Sequence, residues 1–211
     1  MAVEAAIFSL IESGDKEELL AKLQELEDAQ NSLSYRNNQG KTALDLAALL
    51  GKADCAQVLV ENGADLNKAN TSGYTALHQS AAWGRLECLK TLVSLGADHL
   101  VLNQHSETAR TIALRYGKIE CMEYLDAVDS KCKLSQAVKT AKNTLGDSEK
   151  ISGKWNKDDR SKVNGLCNET NDWLQYNQDA HSSAVQQQIT DFEAHFEPYL
   201  AKLTPPDLNS T

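Results

Sequence analysis

The chain has 211 residues, and 30 Asp and Glu against 21 Lys and Arg leave a net charge of −9. That balance repels a phosphate backbone and an anionic membrane surface, so neither nucleic acid nor a membrane is the expected partner. A mean hydropathy of −0.46, no apolar run near the ~18 residues that cross a bilayer, and early acids at Glu4 and Glu12 where a secretory signal would be basic and then apolar together predict a cytoplasmic or nuclear chain.

Taken in order, residues 1–34 open with Ile7-Phe8-Ser9-Leu10-Ile11, then Gly14-Asp15, then Leu19, Leu20 and Leu23. That is the order helix, glycine turn, helix. Residues 35–128 repeat themselves. The string Asn37-Asn38-Gln39-Gly40-Lys41-Thr42-Ala43-Leu44-Asp45 returns 33 residues later as Asn70-Thr71-Ser72-Gly73-Tyr74-Thr75-Ala76-Leu77-His78, and a third copy starts at Asn103, aligning Ser106, Thr108 and Ala109. Gly51, Gly84 and Gly117 recur in the same register, where a first helix must stop and turn back. Gly63-Ala64-Asp65 and Gly96-Ala97-Asp98 close the second helix of a unit.

This pattern resembles the ankyrin repeat, whose turn, Thr-Pro-Leu-His-x-Ala signature and two antiparallel helices are nearly spelled out over residues 73–98. The resemblance implies an all-α ankyrin-repeat solenoid: a degenerate capping unit over 1–34 and three repeats over 35–128. Ala43, Ala76 and Ala109 stand where the family has Pro, and Arg110 replaces the Leu of the third unit, which marks that unit as the other cap. One helical pair cannot bury its apolar stripe alone, so stacked pairs make the core.

Of the five cysteines, Cys55, Cys88 and Cys121 are 33 residues apart and fall at one position of the second helix, which makes them small core residues. An odd count without close pairs disfavours both a disulfide framework and a zinc site. His78 stands at the family's histidine, which implies hydrogen bonding within and between units. No phosphate-cradling loop, nucleophile elbow or His/Cys cluster appears, and His181 and His195 are isolated from each other by a helix and show no obvious acidic or thiol partner for catalysis, so the chain reads as non-enzymatic, without cofactor or metal.

Stacks of this kind meet protein partners through the hairpin tips and the inner helices. In that register Leu50, Trp83 and Tyr116 each precede the turn Gly of their unit and would form a ladder of large apolar side chains, the types that dominate interface hot spots. Tyr74 and Arg115 would supply its rim, and Lys41 and Glu107 stand at matching tip positions. The same three ladder residues would equally serve to pack neighbouring units together.

Beyond Val128 the period ends, and residues 131–162 carry nine Lys or Arg against four acids. Leu134, Ala137, Val138, Ala141 and Leu145 follow helical spacing up to Gly146. Asn156 with Asp159 reads as an N-cap pair opening a helix with Val163, Leu166, Cys167, Thr170, Trp173 and Leu174 on one face. Val185, Ile189, Phe192, Phe196, Leu200 and Leu203 mark a third helix. A small helical bundle over 129–204 is the expectation, with a polar tail over 205–211 predicted to be disordered.

Lys150-Ile151-Ser152, the Val163 to Leu174 stripe with Cys167 and Trp173-Leu174, and Glu197-Pro198-Tyr199-Leu200 resemble the C-terminal helical lid of the seventy-kilodalton heat-shock chaperones. Some four extra residues including Trp155, and Glu197 in place of the family's Asn, depart from it. The ATPase and peptide-binding domains of those chaperones have no counterpart, so no refolding activity is implied. The two resemblances in this order imply an adaptor in cell division or motile cilia, with a heat-shock chaperone or a ciliary or cytoskeletal protein as partner. The rival readings are a fixed structural component of such an assembly and a co-chaperone-like adaptor that works through the bundle.

Overall fold

The structure is a computed structural model that describes residues 2–26 and 28–203. The predicted tail therefore lies outside the described residues. The chain divides into two compact units after Leu125.

The first unit is built from helical pairs. α1 (Ala2–Ser13) and α2 (Lys16–Gln24) come first, then a short α3 (Ala29–Leu33). The pairs α4 (Ala43–Leu50) with α5 (Ala53–Glu61) and α6 (Ala76–Trp83) with α7 (Leu86–Ser94) follow, and then α8 (Ala109–Arg115) with the start of α9 (Ile119–Gly146). First helices pack in the row α1, α4, α6, α8, and second helices α2, α5 and α7 pack in another.

The first helices of the three repeats, α4, α6 and α8, each start at a Thr in extended conformation. Thr42 forms a capping box with Asp45, and Thr108 Oγ1 accepts from the Thr111 backbone N–H. Each ends at a left-handed Gly, at φ 77° for Gly51, 67° for Gly84 and 65° for Gly117. The next backbone N–H then bonds back into the helix, Lys52 to the Ala47 carbonyl, Arg85 to Ser80 and Lys118 to Ala113.

The hairpins repeat with the same fidelity. The Asn70 carboxamide oxygen accepts the backbone N–H groups of Ser72 and Tyr74, and Asn37 and Asn103 do the same for Gln39 with Lys41 and for His105 with Glu107. The tips of the first two hairpins carry Gly40 and Gly73 at positive φ; the third carries Ser106 at φ 58°.

The core follows the period. Ala47, Ser80 and Ala113 are small and fully buried where first helices meet, and Leu59, Leu92 and Leu125 fill the second-helix row. Cys55, Cys88 and Cys121 are each 1% exposed, and burial raises all three thiols above their ordinary range, Cys88 to about 12. Gly14 and Gly51 lie 37 residues apart rather than 33. The extra residues are taken up by α3, which packs on α1 and buries Leu33.

In the second unit α9 runs on to Gly146, followed by α10 (Ser148–Ile151), α11 (Lys157–Tyr176) and α12 (Ser182–Ala201). Asn156 and Asp159 form a capping box at the start of α11. Leu134, Val138 and Ala141 of α9 join Val163 and Cys167 of α11 and Val185, Ile189, Phe192 and Phe196 of α12 in one core.

Two side chains depart from expectation. Trp155, just ahead of α11, is 3% exposed; its indole N–H donates to the Tyr199 carbonyl at 2.9 Å and its ring meets Phe196 and Tyr199 edge-on. Leu200 is 41% exposed. The apolar stripe of α12 steps alternately by four and three residues from Val185 through Phe196, and that rhythm brings Tyr199 and Leu203 inward while Leu200 falls off the face.

Candidate protein-binding groove

Along the exposed side of α6 runs a groove of about 540 Å³ lined by Asn70, Ser72, Tyr74, Gln79, Ala82, Trp83, Tyr116 and Lys118. The hairpin before α6 supplies one wall. Its geometry comes from the Asn70 turn, which holds Tyr74 immediately ahead of the Thr75 cap. The last turn of α6 supplies Ala82 and Trp83, and the following unit supplies Tyr116 and Lys118 on either side of Gly117.

Trp83 and Tyr116 are each 55% exposed, although both are bulky and apolar over most of their surface. Arg115 stands over the Tyr116 ring with its guanidinium carbon 5.0 Å from the centroid, pairs with Glu107 at 2.8 Å and approaches the Tyr74 hydroxyl at 3.5 Å. Thus Tyr74, Glu107, Arg115 and Tyr116 form one connected cluster beside Trp83. Leu50 is different: half-buried, it packs against the core of the first unit and does not line the groove. Lys41 stands at the first hairpin tip, two units away in register from Glu107.

Underneath, His78 fixes the hairpin to the helix. Its Nδ1 accepts the Thr75 backbone N–H at 3.1 Å, which leaves Nε2–H to donate to the Glu107 carbonyl of the next hairpin at 3.2 Å. Burial lowers the imidazole pKa, opposed by the Glu107 carbonyl, so the ring is held neutral. Asp45, at the same position one unit earlier, is buried with its carboxyl pushed up by desolvation and bonded to the Thr42 backbone N–H.

Gln79, Lys118 and Asn70, like the small Ala82, do not stand out in the sequence as binding residues. Gln79 takes a register position held by the buried Leu46 and Ile112 in the adjacent units, and that polar exception is its signal. Lys118 belongs to the column Lys52, Arg85, Lys118, one cation after each turn Gly. Asn70 is legible as the turn residue, but its second role on the groove wall is not.

Among the described residues, no helix is long and apolar enough to cross a membrane. The family model described as Ankyrin repeats (3 copies) matches residues 7–103, beginning inside α1. The chain is 48% identical over 167 residues to mouse (Mus musculus) Ankyrin repeat domain-containing protein 45, covering 79% of this chain and 67% of that protein. The chain belongs to the ankyrin-repeat family. The human (Homo sapiens) protein of the same name is 36% identical over 84 residues, 40% of this chain and 32% of that one. Ankyrin repeats are protein-interaction modules, in general without catalytic activity, and the helical pairs and hairpins described above are those of an ankyrin stack.

Proposed function

We propose that this ankyrin chain is a non-enzymatic adaptor that holds a protein partner in the groove over α6, with Trp83 and Tyr116 as anchors and Tyr74, Arg115 and Glu107 as the rim. The observation that carries the reading is that both of these exposed aromatic rings line one groove, whereas the exposed Leu100, Leu102, Leu114 and Ile119 of the stack do not line it. Such rings at the edge of a groove are the residue types whose burial supplies most of an interface's energy. Leu50, half-buried, contributes shape to this face rather than an anchor, and Lys41 marks its far tip.

Pull-downs from cell extract, identified by mass spectrometry, compare the intact chain with a Trp83→Ala, Tyr116→Ala double variant whose helical circular dichroism is unchanged. Loss of a defined partner from the variant supports the groove. An unchanged partner list removes the groove as the site and moves attention to the second unit, where a chaperone partner engaged through the lid-like helices would then be sought. The cellular setting proposed with this reading, cell-division structures or the motile cilium within the cytoplasm, rests on the order of the two modules. A fluorescently tagged chain that never concentrates at either structure rejects it.

A further inference from the structure

Three of the groove's polar groups are open donors, on Trp83, Asn70 and Lys118, while the Gln79 carboxamide and the Ser72 and Tyr116 hydroxyls can donate or accept. The Trp83 indole N–H has no acceptor among the described residues, and an indole donates only. The Asn70 oxygen is occupied by two backbone N–H groups, so its NH₂ is the end free to meet a ligand. Lys118 is the charged lining residue, and it makes no ion pair among the described residues. Its stem passes over Gly84, with Cδ 2.9 Å from where a Cβ on that glycine would stand, so the chain is guided between the Trp83 and Tyr116 ends of the groove. The nearby carboxylate of Glu107 is already engaged by Arg115.

A chain of net charge −9 thus presents, beside two exposed aromatic rings, a cation that makes no ion pair among the described residues, together with two further open donors. Two exposed rings take an apolar side chain; the donors take acceptors; the cation takes a carboxylate. A groove running from the Asn70 hairpin to the Gly117 turn spans the length of the two-turn helix α6 at 1.5 Å per residue, which an extended segment of only a few residues fills at about 3.3 Å per residue.

Building on the groove as the partner site, we infer that its occupant is a short extended segment of a protein partner in which an Asp or Glu adjoins an apolar residue. The carboxylate pairs with Lys118, and the apolar side chain lies between Trp83 and Tyr116.

The test is selection of phage-displayed random heptapeptides on the intact chain, on Lys118→Met, which keeps the stem and removes the charge, on Lys118→Glu, and on Trp83→Ala, each confirmed folded by circular dichroism. The expected result is enrichment of Asp or Glu next to an apolar residue on the intact chain. A synthetic copy of the best clone should bind Lys118→Met about tenfold more weakly, lose measurable affinity for Lys118→Glu, and bind Trp83→Ala about thirtyfold more weakly. Peptides without acidic enrichment whose binding depends on Trp83 but ignores Lys118 overturn this inference and leave the groove standing. Peptides indifferent to both residues overturn the groove as well. Failure to select any peptide overturns the inference that the occupant is a linear segment.

Discussion

The Gly40, Gly73 and Ser106 positions are equivalent in sequence and unequal in space. A Cβ on Gly40 would meet nothing within 4 Å, whereas one on Gly73 would stand 2.8 Å from the Asn103 Cα and the Gln104 nitrogen, both backbone atoms that cannot move aside. Gly40→Ala is therefore expected to cost only the strain of a left-handed side-chain residue, about 1 kcal/mol. Gly73→Ala should cost at least about 2 kcal/mol, because the second and third hairpins are pushed apart in addition. Urea denaturation of the two variants checks the order, and equal losses would mean the hairpins do not touch so closely in solution. Ser106 already bears the left-handed strain at φ 58°, so its tip is the one where a side chain has been accommodated.

At the scale of the element, the first helices of the repeats begin alike, with Thr at the cap and Ala at the first helical position. The cap residues sit at ψ 169°, 173° and 167°, the extended backbone that a following proline demands. Proline at the first helical position also loses no intrahelical hydrogen bond. Ala76→Pro should therefore stabilise the chain by about 0.5 kcal/mol through the unfolded state, read as a rise in the thermal midpoint; a fall would show that the Ala76 N–H or its surroundings need alanine. Elements of the stack were legible because every cap, turn and core position is sampled three times at one spacing. The short α3 was not, since it occurs once and its five residues carry no period. Trp155 escapes sequence reading for a related reason: outside any helix, its burial depends on the Tyr199 carbonyl and the Phe196 ring, both distant in sequence, and no local pattern announces that. Of the candidate groove, the aromatic pair and its Arg115 and Glu107 rim could be read by aligning units. Lys118 and Gln79 required knowing which side chains converge.

Taken as a whole, the molecule separates its thiols by environment. Cys55, Cys88, Cys121 and Cys167 are buried, with desolvation holding all four protonated, while Cys132 is exposed. A thiol-disulfide reagent at neutral pH should thus modify one cysteine quickly in the native protein and all five after denaturant. Two or more fast thiols would show that the repeat core opens on the reagent's timescale, and Cys132→Ser should abolish the fast phase. The joints between units have the same regularity. Lys52 lies across Gly14, Arg85 across Gly51 with its Nε donating to the Leu49 carbonyl, and Lys118 across Gly84, whereas a Cβ on Gly117 would meet nothing. Because the joint of Arg85 with Gly51 recurs 33 residues later as that of Lys118 with Gly84, the gene can gain or lose 33 codons between Asn70 and Asn103 and rebuild a joint of the same kind at the splice. The solenoid's length is therefore adjustable in whole steps, and the joining chemistry is inherited with each step; a deletion of that segment, however, takes Trp83 with it, so recognition is lost before architecture is.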